Sequence, residues 1–368
     1  MAPTPAYLGL ISGTSADGID SALVTFEPVV RIVAAHTTPY PDALRSRLLA
    51  LTRSTAAIAL DDLGELDVTI GERFAKAALD LLDQAGVGRD TVAAIGSHGQ
   101  TVRHRPKGHH PFTLQIGDPS VIAERTGIRT IGDFRRADVA AGGQGAPLMP
   151  AFHRAVFARP DATRVVLNLG GIANITVLDP DQPIFGFDTG PANCLLDAWA
   201  QRHNGTRCDH EGAWAESGQL NRDLLERWLD DPYFAEAPPK STGREVFNLE
   251  WLERNLIASV TPADVQATLL ALSVHTIADS VRQYAPATVE LLVCGGGAHN
   301  MALMRGLTTQ MKPIEVRSTA DFAIDPDHVE AAGFAWLARE RLAGRPGNLP
   351  SVTGARGLRE LGAIYAAP

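Results

Sequence analysis

Twice in this chain an apolar run breaks at a turn of glycine and small polar residues and then resumes as a second apolar run. The first instance spans Tyr7 to Phe26 and turns at Gly13-Thr-Ser-Ala-Asp-Gly18; the second spans Arg164 to Leu178 and turns at Gly170-Gly171. Each reads as a β-hairpin with a polar tip. Two such hairpins about half a chain apart predict a duplicated architecture.

The residues between and after the hairpins alternate between helical and strand patterns, which predicts α/β construction with parallel pairing. Helices are expected over Leu60 to Gln84, Pro119 to Thr126, Asn193 to His203, Thr261 to Tyr284, from about Asn300, and over Asp327 to Leu342. A long charged helical region is expected through Trp251. Short buried strands are expected at Val92 to Ile95 and Val289 to Cys294, the former followed by a loop rich in Gly, His and Pro. A chain of 368 residues exceeds what one core usually serves. The small residues of Ala140 to Pro147 read as a hinge, dividing a first lobe (1–140) from a second (141–350), with a tail (351–368) returning to the first. The other reading of that segment is a glycine-rich loop inside one domain.

Composition narrows the partners. A formal net charge of -9 disfavours nucleic acid and anionic membrane. Cys194, Cys208 and Cys294 form no CxxC pair, which suits a reduced compartment. The first residues lack a basic start and an apolar run, and no stretch approaches the roughly 20 apolar residues of a membrane span, so a cytoplasmic location is expected.

Chemistry concentrates in the turns. Gly13 to Gly18 has the glycine spacing of a phosphate loop, but Ile19 and Asp20 stand where that motif needs Lys and Ser/Thr. What remains is a tip whose backbone N–H groups and the hydroxyls of Thr14 and Ser15 can face a polyphosphate. Asp17 and Asp20 suit that site only with a cation, which makes them the candidate metal ligands and a magnesium nucleotide the candidate ligand. An ordinary Asp-Gly turn is the alternative. Gly295-Gly-Gly297 lies where a strand yields to a helix, leaving backbone bare for a ring or phosphate, or simply making a tight turn. Phe185 to Cys194 ends an apolar strand on Asp188, the position of catalytic groups at strand mouths in open α/β sheets. Phosphoryl transfer needs a base that orients the acceptor, and Asp188 is the candidate; capping of the following helix is the competing role. Gly96 to Pro106 and Leu114 to Ser120 mix hydrogen-bonding side chains with glycine, as a sugar-binding wall does. Arg135 and Arg136 either hold an anionic substrate group or belong to a surface ion-pair cluster.

The hairpin, second hairpin and glycine turn occur in the order of the nucleotide elements of the actin/hexokinase/Hsp70 superfamily. Ser12 to Gly18, Gly96 to Thr101, Leu114 to Asp118, Asp133 to Arg135, Asn168 to Asn174, Phe187 to Pro191 and Gly295 to Asn300 together resemble the anhydro-N-acetylmuramic acid kinase family, over nearly the whole chain. The resemblance implies a two-domain actin/hexokinase-like fold, a duplicated ribonuclease H-like arrangement with an interdomain cleft. It implies an ATP-dependent enzyme of cell-wall recycling that opens the 1,6-anhydro ring with water and phosphorylates O6. Carried over, it assigns Gly13, Thr14, Ser15, Ala16, Asp17, Gly18, Ile19, Asp20, Gly170, Gly171, Asn174, Gly295, Gly296 and Gly297 to ATP. Asp188 activates the water. His98, Gln100, Thr101, Gln115, Asp118, Arg135, Gly190, Asn193 and Glu330 face the sugar. ATP with Mg2+ and the amino sugar are the implied partners, and a homodimer is what the family suggests.

Two residues depart from the family pattern. Ala16 stands where a larger apolar residue is usual, and Ala192 where glycine is usual; the second would be strained if position 192 needed positive φ. Other readings of the same elements are a kinase for another sugar or a carboxylate, and a nucleotide-driven chaperone or filament protein.

Overall fold

The computed structural model describes residues 5–52, 57–257 and 259–368. The strands in chain order are β1 (Ala6–Ser12), β2 (Gly18–Thr25), β3 (Arg31–Pro39), β4 (Val92–Arg105), β5 (Phe112–Ile116), β6 (Thr130–Gly132), β7 (Thr163–Leu169), β8 (Ile172–Leu178), β9 (Phe185–Pro191), β10 (Thr288–Cys294), β11 (Glu315–Ser318) and β12 (Ala363–Tyr365). They form two sheets, ordered β12-β6-β4-β1-β2-β3, with β5 paired to β4, and β11-β10-β7-β8-β9. In each, a hairpin and a third strand run antiparallel, and the first hairpin strand pairs in parallel with a strand from much later in the chain. This repeated order is the duplicated arrangement of the actin/hexokinase-like class.

The chain divides into two compact units. One comprises the chain up to Phe152 together with Ala323–Pro368, and the other His153–Phe322. The sequence placed the divisions at 140 and 351. Residues 140–147 are tied within the first unit instead, through Gln144 N–H to the Thr353 carbonyl (2.8 Å) and Arg356 N–H to the Ala141 carbonyl (2.9 Å).

The helix Val329–Leu342 also belongs to the first unit, for a reason visible in its composition. Ala331, Ala332, Phe334, Ala335, Leu337 and Ala338 are buried on every side of it, the mark of an interior helix. Its small residues bring it against β1 and β4 so closely that a Cβ on Gly9 would run into the Ala331 carbonyl oxygen, and one on Gly96 into that of Phe334. Across the sheet, Leu8, Ile19, Phe74, Leu81 and Ile95 build a core with the amphipathic helix Leu60–Ala85.

In the second unit Val165, Ile175, Ile277, Val281, Leu291 and Leu303 fill the sheet–helix interface, with the helices Pro262–Tyr284 and Met301–Gln310. A separate cluster of Trp199, Trp228, Phe247, Trp251 and Leu269 holds residues 213–254.

Two elements differ from the sequence reading. The strand at Val92 does not stop at Ile95 but continues to Arg105, because Gln100 to Arg105 pair with β5; its polar and glycine residues hid the strand. The charged region through Trp251 is four short helices, Ala213–Ser217, Arg222–Leu229, Pro232–Ala235 and Leu249–Arg254. Gly218, Pro232 and Pro238-Pro239 break it, and Asn221, Asp231 and Asn248 cap the pieces. Among the described residues no helix is long and apolar enough to cross a membrane.

Because a backbone oxygen cannot move aside as a flexible side chain can, Gly9→Ala should destabilise the first unit by about 2 kcal/mol or more. Urea unfolding measures this; a midpoint equal to that of the unsubstituted chain would refute the close approach.

Candidate active site

In the first unit the hairpin between β1 and β2 is closed by Ala16 N–H donating to the Gly13 carbonyl (3.1 Å). Gly13, Thr14 and Asp17 are exposed, whereas Ala16 and Ile19 point their side chains into the core, which leaves only their backbone to a ligand. Gln100, fully buried on β4, braces this tip. It accepts from the Ser12 hydroxyl (2.6 Å) and donates to the Gly13 carbonyl (3.0 Å), so both ends of its amide are committed to the hairpin.

Asp20 accepts from the Thr37 hydroxyl (2.6 Å). Burial pushes its carboxyl up from the ordinary range, Thr37 and His328 oppose the rise, and Asp327 and Asp17 add to it. Asp17 pairs with Arg45 at 2.7 Å. Asp17 and Asp20 are hard oxygen donors of the kind that suit magnesium, but among the described residues no group of three or more His, Cys, Asp or Glu is placed to hold a metal ion.

A second set runs from β4 to the helix Val329–Leu342. His98 has its Nδ1 on the Gly99 carbonyl (2.9 Å), and Arg135 Nε donates to its Nε2 (2.9 Å). The ring lies 4.7 Å from that of Phe334. Burial, and then the Arg135 charge, hold the imidazole well below its usual range, so it is the neutral Nδ1–H tautomer. Both ring nitrogens are thereby engaged within the protein. Arg135 is lowered to about 10 by burial, against the opposing charge of Glu330. Glu330 keeps solvent contact, yet the protein around its carboxyl pushes its pKa up; Arg135 counters this and Asp20 reinforces it. His98, Arg135, Glu330 and Asp20 therefore form one electrostatically linked series.

Gln115 Nε2 donates to the Thr101 hydroxyl (3.0 Å), so those two candidates stand together across β4 and β5. Asp118 lies apart from them in role: its Oδ1 accepts Ser120 N–H (2.7 Å) and caps the helix Pro119–Thr126.

In the second unit Asn168, Asn174 and Asp188 are successive cross-strand partners on β7, β8 and β9, a polar row at the strand mouths. The Gly170-Gly171 turn accepts N–H bonds from Ala192, Asn193 and Cys194 at 3.0–3.2 Å. The glycine turn after β10 meets the same hairpin: a Cβ on Gly295 would collide with Asn168 Oδ1, and one on Gly297 would stand 2.6 Å from Leu169 Cβ and 3.0 Å from Asn193 Nδ2. Gly296 faces open space.

Asp188 is gripped by a segment that sequence reasoning missed. Its N–H donates to the Lys240 carbonyl (3.3 Å), its carbonyl accepts from the Tyr233 hydroxyl (2.6 Å), and its Oδ2 accepts Thr242 N–H (3.0 Å). Burial pushes its carboxyl up; the bonds from Thr242 and Ser241 oppose this, and the Glu245 charge adds to it. It does not cap the next helix, whose N-cap is Ala192. Ala192 has φ −125° and so does not take a positive φ; the positive φ near Asp188 belongs to Gly190 (149°). Arg244, on the same segment, lies against Gly171, where an added Cβ would be 3.0 Å from its Nε. The signal for this segment was Pro238-Pro239 followed by Lys-Ser-Thr-Gly-Arg244, which no charged helix would contain.

Two α/β units of the same strand order, each with a glycine turn and a desolvated carboxylate at its strand mouths, define a member of the actin/hexokinase-like class. A family profile described as anhydro-N-acetylmuramic acid kinase matches residues 5–367. Relatives with that name include those of Xanthomonas campestris pv. campestris (55% identical, covering 99% of this chain and 98% of the relative), Xylella fastidiosa (54%, 99% and 97%) and Coxiella burnetii (50%, 99% and 98%). The chain belongs to the anhydro-N-acetylmuramic acid kinase family.

Asp197, beside this segment, is pushed up to about 6 by burial, with Arg244 lowering it and Asp209 raising it. A carboxyl whose folded pKa exceeds its unfolded one stabilises the fold fully below the unfolded value, and that contribution is lost as pH rises through the folded one. Asp197→Asn should therefore raise the melting temperature more at about pH 7.5 than at about pH 5. Equal gains at both would show that Asp197 does not titrate in this window.

Proposed function

We propose that this chain is a cytoplasmic ATP-dependent kinase that opens the anhydro ring of 1,6-anhydro-N-acetylmuramic acid with water and phosphorylates the freed O6, giving N-acetylmuramic acid 6-phosphate for cell-wall recycling. The observation that carries the residue roles is the Asp188 carboxylate, half-buried and oriented by Thr242 and Ser241, at the end of a polar cross-strand row. The family is one for which a homodimer is expected.

In this reading Asp188 takes a proton from a water whose oxygen bonds to the anomeric carbon. The C1–O6 bond breaks, and O6 bonds to the γ-phosphorus of ATP as ADP leaves. A carboxylate with a raised pKa is a stronger base than an exposed one, which favours proton abstraction near neutral pH. The backbone of Gly13 to Gly18 holds the triphosphate, with the hydroxyls of Thr14 and Ser15. Gly170, Gly171 and Asn174 hold the phosphates from the second unit, and Gly295 to Gly297 leave bare backbone for the adenosine. Asp17 and Asp20 are the residues that would hold magnesium, which supplies charge neutralisation to the polyphosphate when bound.

On the sugar side, Arg135 is the group for the lactyl carboxylate, a charged donor already desolvated and held by neutral His98. Thr101, Gln115, Glu330, Gly190 and Asn193 are the remaining sugar contacts. Gln100 serves by bracing the hairpin and Asp118 by capping its helix.

ADP release should depend on the anhydro sugar, and Asp188→Asn should abolish most turnover with nucleotide affinity nearly unchanged, since a base acts mainly in the transition state. ADP release that is indifferent to the sugar would reject the kinase; an equal loss of ATP affinity would move Asp188 to the metal. The ionised base is the active form, so kcat/KM falls as pH drops through its raised pKa. Glu245→Gln removes a charge that raises it and should shift that acid limb to lower pH. A limb that stays in place would separate Glu245 from the base.

A further inference from the structure

Asp138 is fully buried, and its carboxylate takes three hydrogen bonds, all from neutral donors. Its Oδ2 accepts Gly145 N–H (2.7 Å), and its Oδ1 accepts from Asn348 Nδ2 (2.8 Å) and the Thr353 hydroxyl (2.7 Å). Gly145 in turn accepts Arg135 Nη1–H on its carbonyl (2.8 Å). One continuous path of bonds thus joins the C-terminal segment to the Arg135 guanidinium.

We propose that Asp138 is a positioning residue for substrate recognition: anchored by Asn348 and Thr353, it fixes the Gly142–Gly145 loop and so sets the Arg135 guanidinium to receive a carboxylate. This rests on the reading of Arg135 given above. Three features support a specific device over general packing. Both carboxylate oxygens are tied, one to the loop and the other to two side chains of the C-terminal segment, so the group is fixed in direction. The loop is shaped around it: Gly142 and Gly145 have φ 84° and 66°, and a Cβ on Gly143 would strike Asp138 Oδ2. Finally, Asn348 cannot readily reverse its amide, because its Oδ1 accepts Arg359 N–H (2.7 Å).

That last point makes Asp138→Asn a sharp probe. Either orientation of the new amide turns an NH2 toward a donor, at Gly145 or at Asn348, so one bond of the path is always lost while volume is unchanged. Thr353→Val removes a single donor from the far end and keeps the idea testable should Asp138→Asn not fold.

The readout is discrimination by purified full chain between 1,6-anhydro-N-acetylmuramic acid and 1,6-anhydro-N-acetylglucosamine, the same ring system without the lactyl carboxylate. Asp138→Asn should raise KM for the carboxylated sugar about tenfold, leave KM for ATP unaltered, and shrink the preference for the carboxylated sugar by a similar factor. Thr353→Val should move the same ratio in the same direction by less. A purely structural role predicts a lower melting temperature with the ratio unchanged, and that result in either folded variant overturns the proposal. Arg135→Gln separates the two levels. If it collapses the preference while Asp138→Asn does not, only the Asp138 role fails; if it leaves the preference intact, the Arg135 reading fails and this proposal with it.

Discussion

The first unit depends on the near contact between the helix Val329–Leu342 and the backbone of β1 and β4, made possible by Gly9 and Gly96. That contact draws a segment from the far end of the chain into the heart of the N-terminal sheet. It sets Phe334 on the His98 ring and delivers Glu330 and His328 to the surroundings of Arg135 and Asp20. Packing and chemistry therefore share one cause. A glycine that admits a backbone oxygen also places Glu330 where its charge raises the pKa of Arg135 and where the charge of Asp20 raises that of Glu330 in turn. Helix–sheet packing of ordinary spacing would leave those groups farther apart, and Coulomb interactions weaken with distance and hydration.

The second unit reaches a similar end by other means. Its desolvated carboxylate is not approached by a helix but wrapped by an irregular segment, Lys240 to Glu245, anchored by the aromatic cluster of Phe247 and Trp251. Irregular backbone has N–H groups to spare, and one of them, on Thr242, is used to orient Asp188. The oxygen that accepts this bond is fixed in direction, while burial keeps the carboxyl basic. A regular strand in its place would have spent that N–H on a ladder.

How much of this was legible in the sequence follows from which interactions are local. The hairpins, the helices Leu60–Ala85 and Pro119–Thr126 and the strand before Gly295 were readable because periodicity and turn residues lie within a few positions of each other. The motifs likewise singled out Asp188, Arg135 and His98 as candidates. What escaped was set by distant partners. The extension of β4 past Gly96 needs β5 and β1 to complete it, and the allegiance of Val329–Leu342 needs Gly9. The role of Gln100 changed for the same reason: its amide looks like a sugar contact until Ser12 and Gly13, 88 and 87 residues away, claim it. The Ser241 to Arg244 segment was hidden differently, by charged neighbours that simulate a helix until the prolines are given their weight.

The two departures from the family pattern show how backbone geometry decides what a motif tolerates. Ala16 lies at φ 49° and is wholly enclosed, so any side chain there meets both a left-handed backbone and a fixed space. The left-handed conformation costs roughly 1–2 kcal/mol for an L residue, a cost shared by alanine and by larger residues; alanine alters only how the space beneath the tip is filled. Ala192 is the reverse case. Its φ is −125°, so the positive φ that would call for glycine is not adopted at that position. The turn after Asp188 still demands glycine two residues earlier, since Gly190 has φ 149° and an added Cβ would stand 2.7 Å from the Phe234 ring. Phe234 follows the tyrosine that holds the Asp188 carbonyl. A side chain at 190 would therefore press on the same segment that holds Asp188, so the requirement for glycine and the placement of the carboxylate are one constraint.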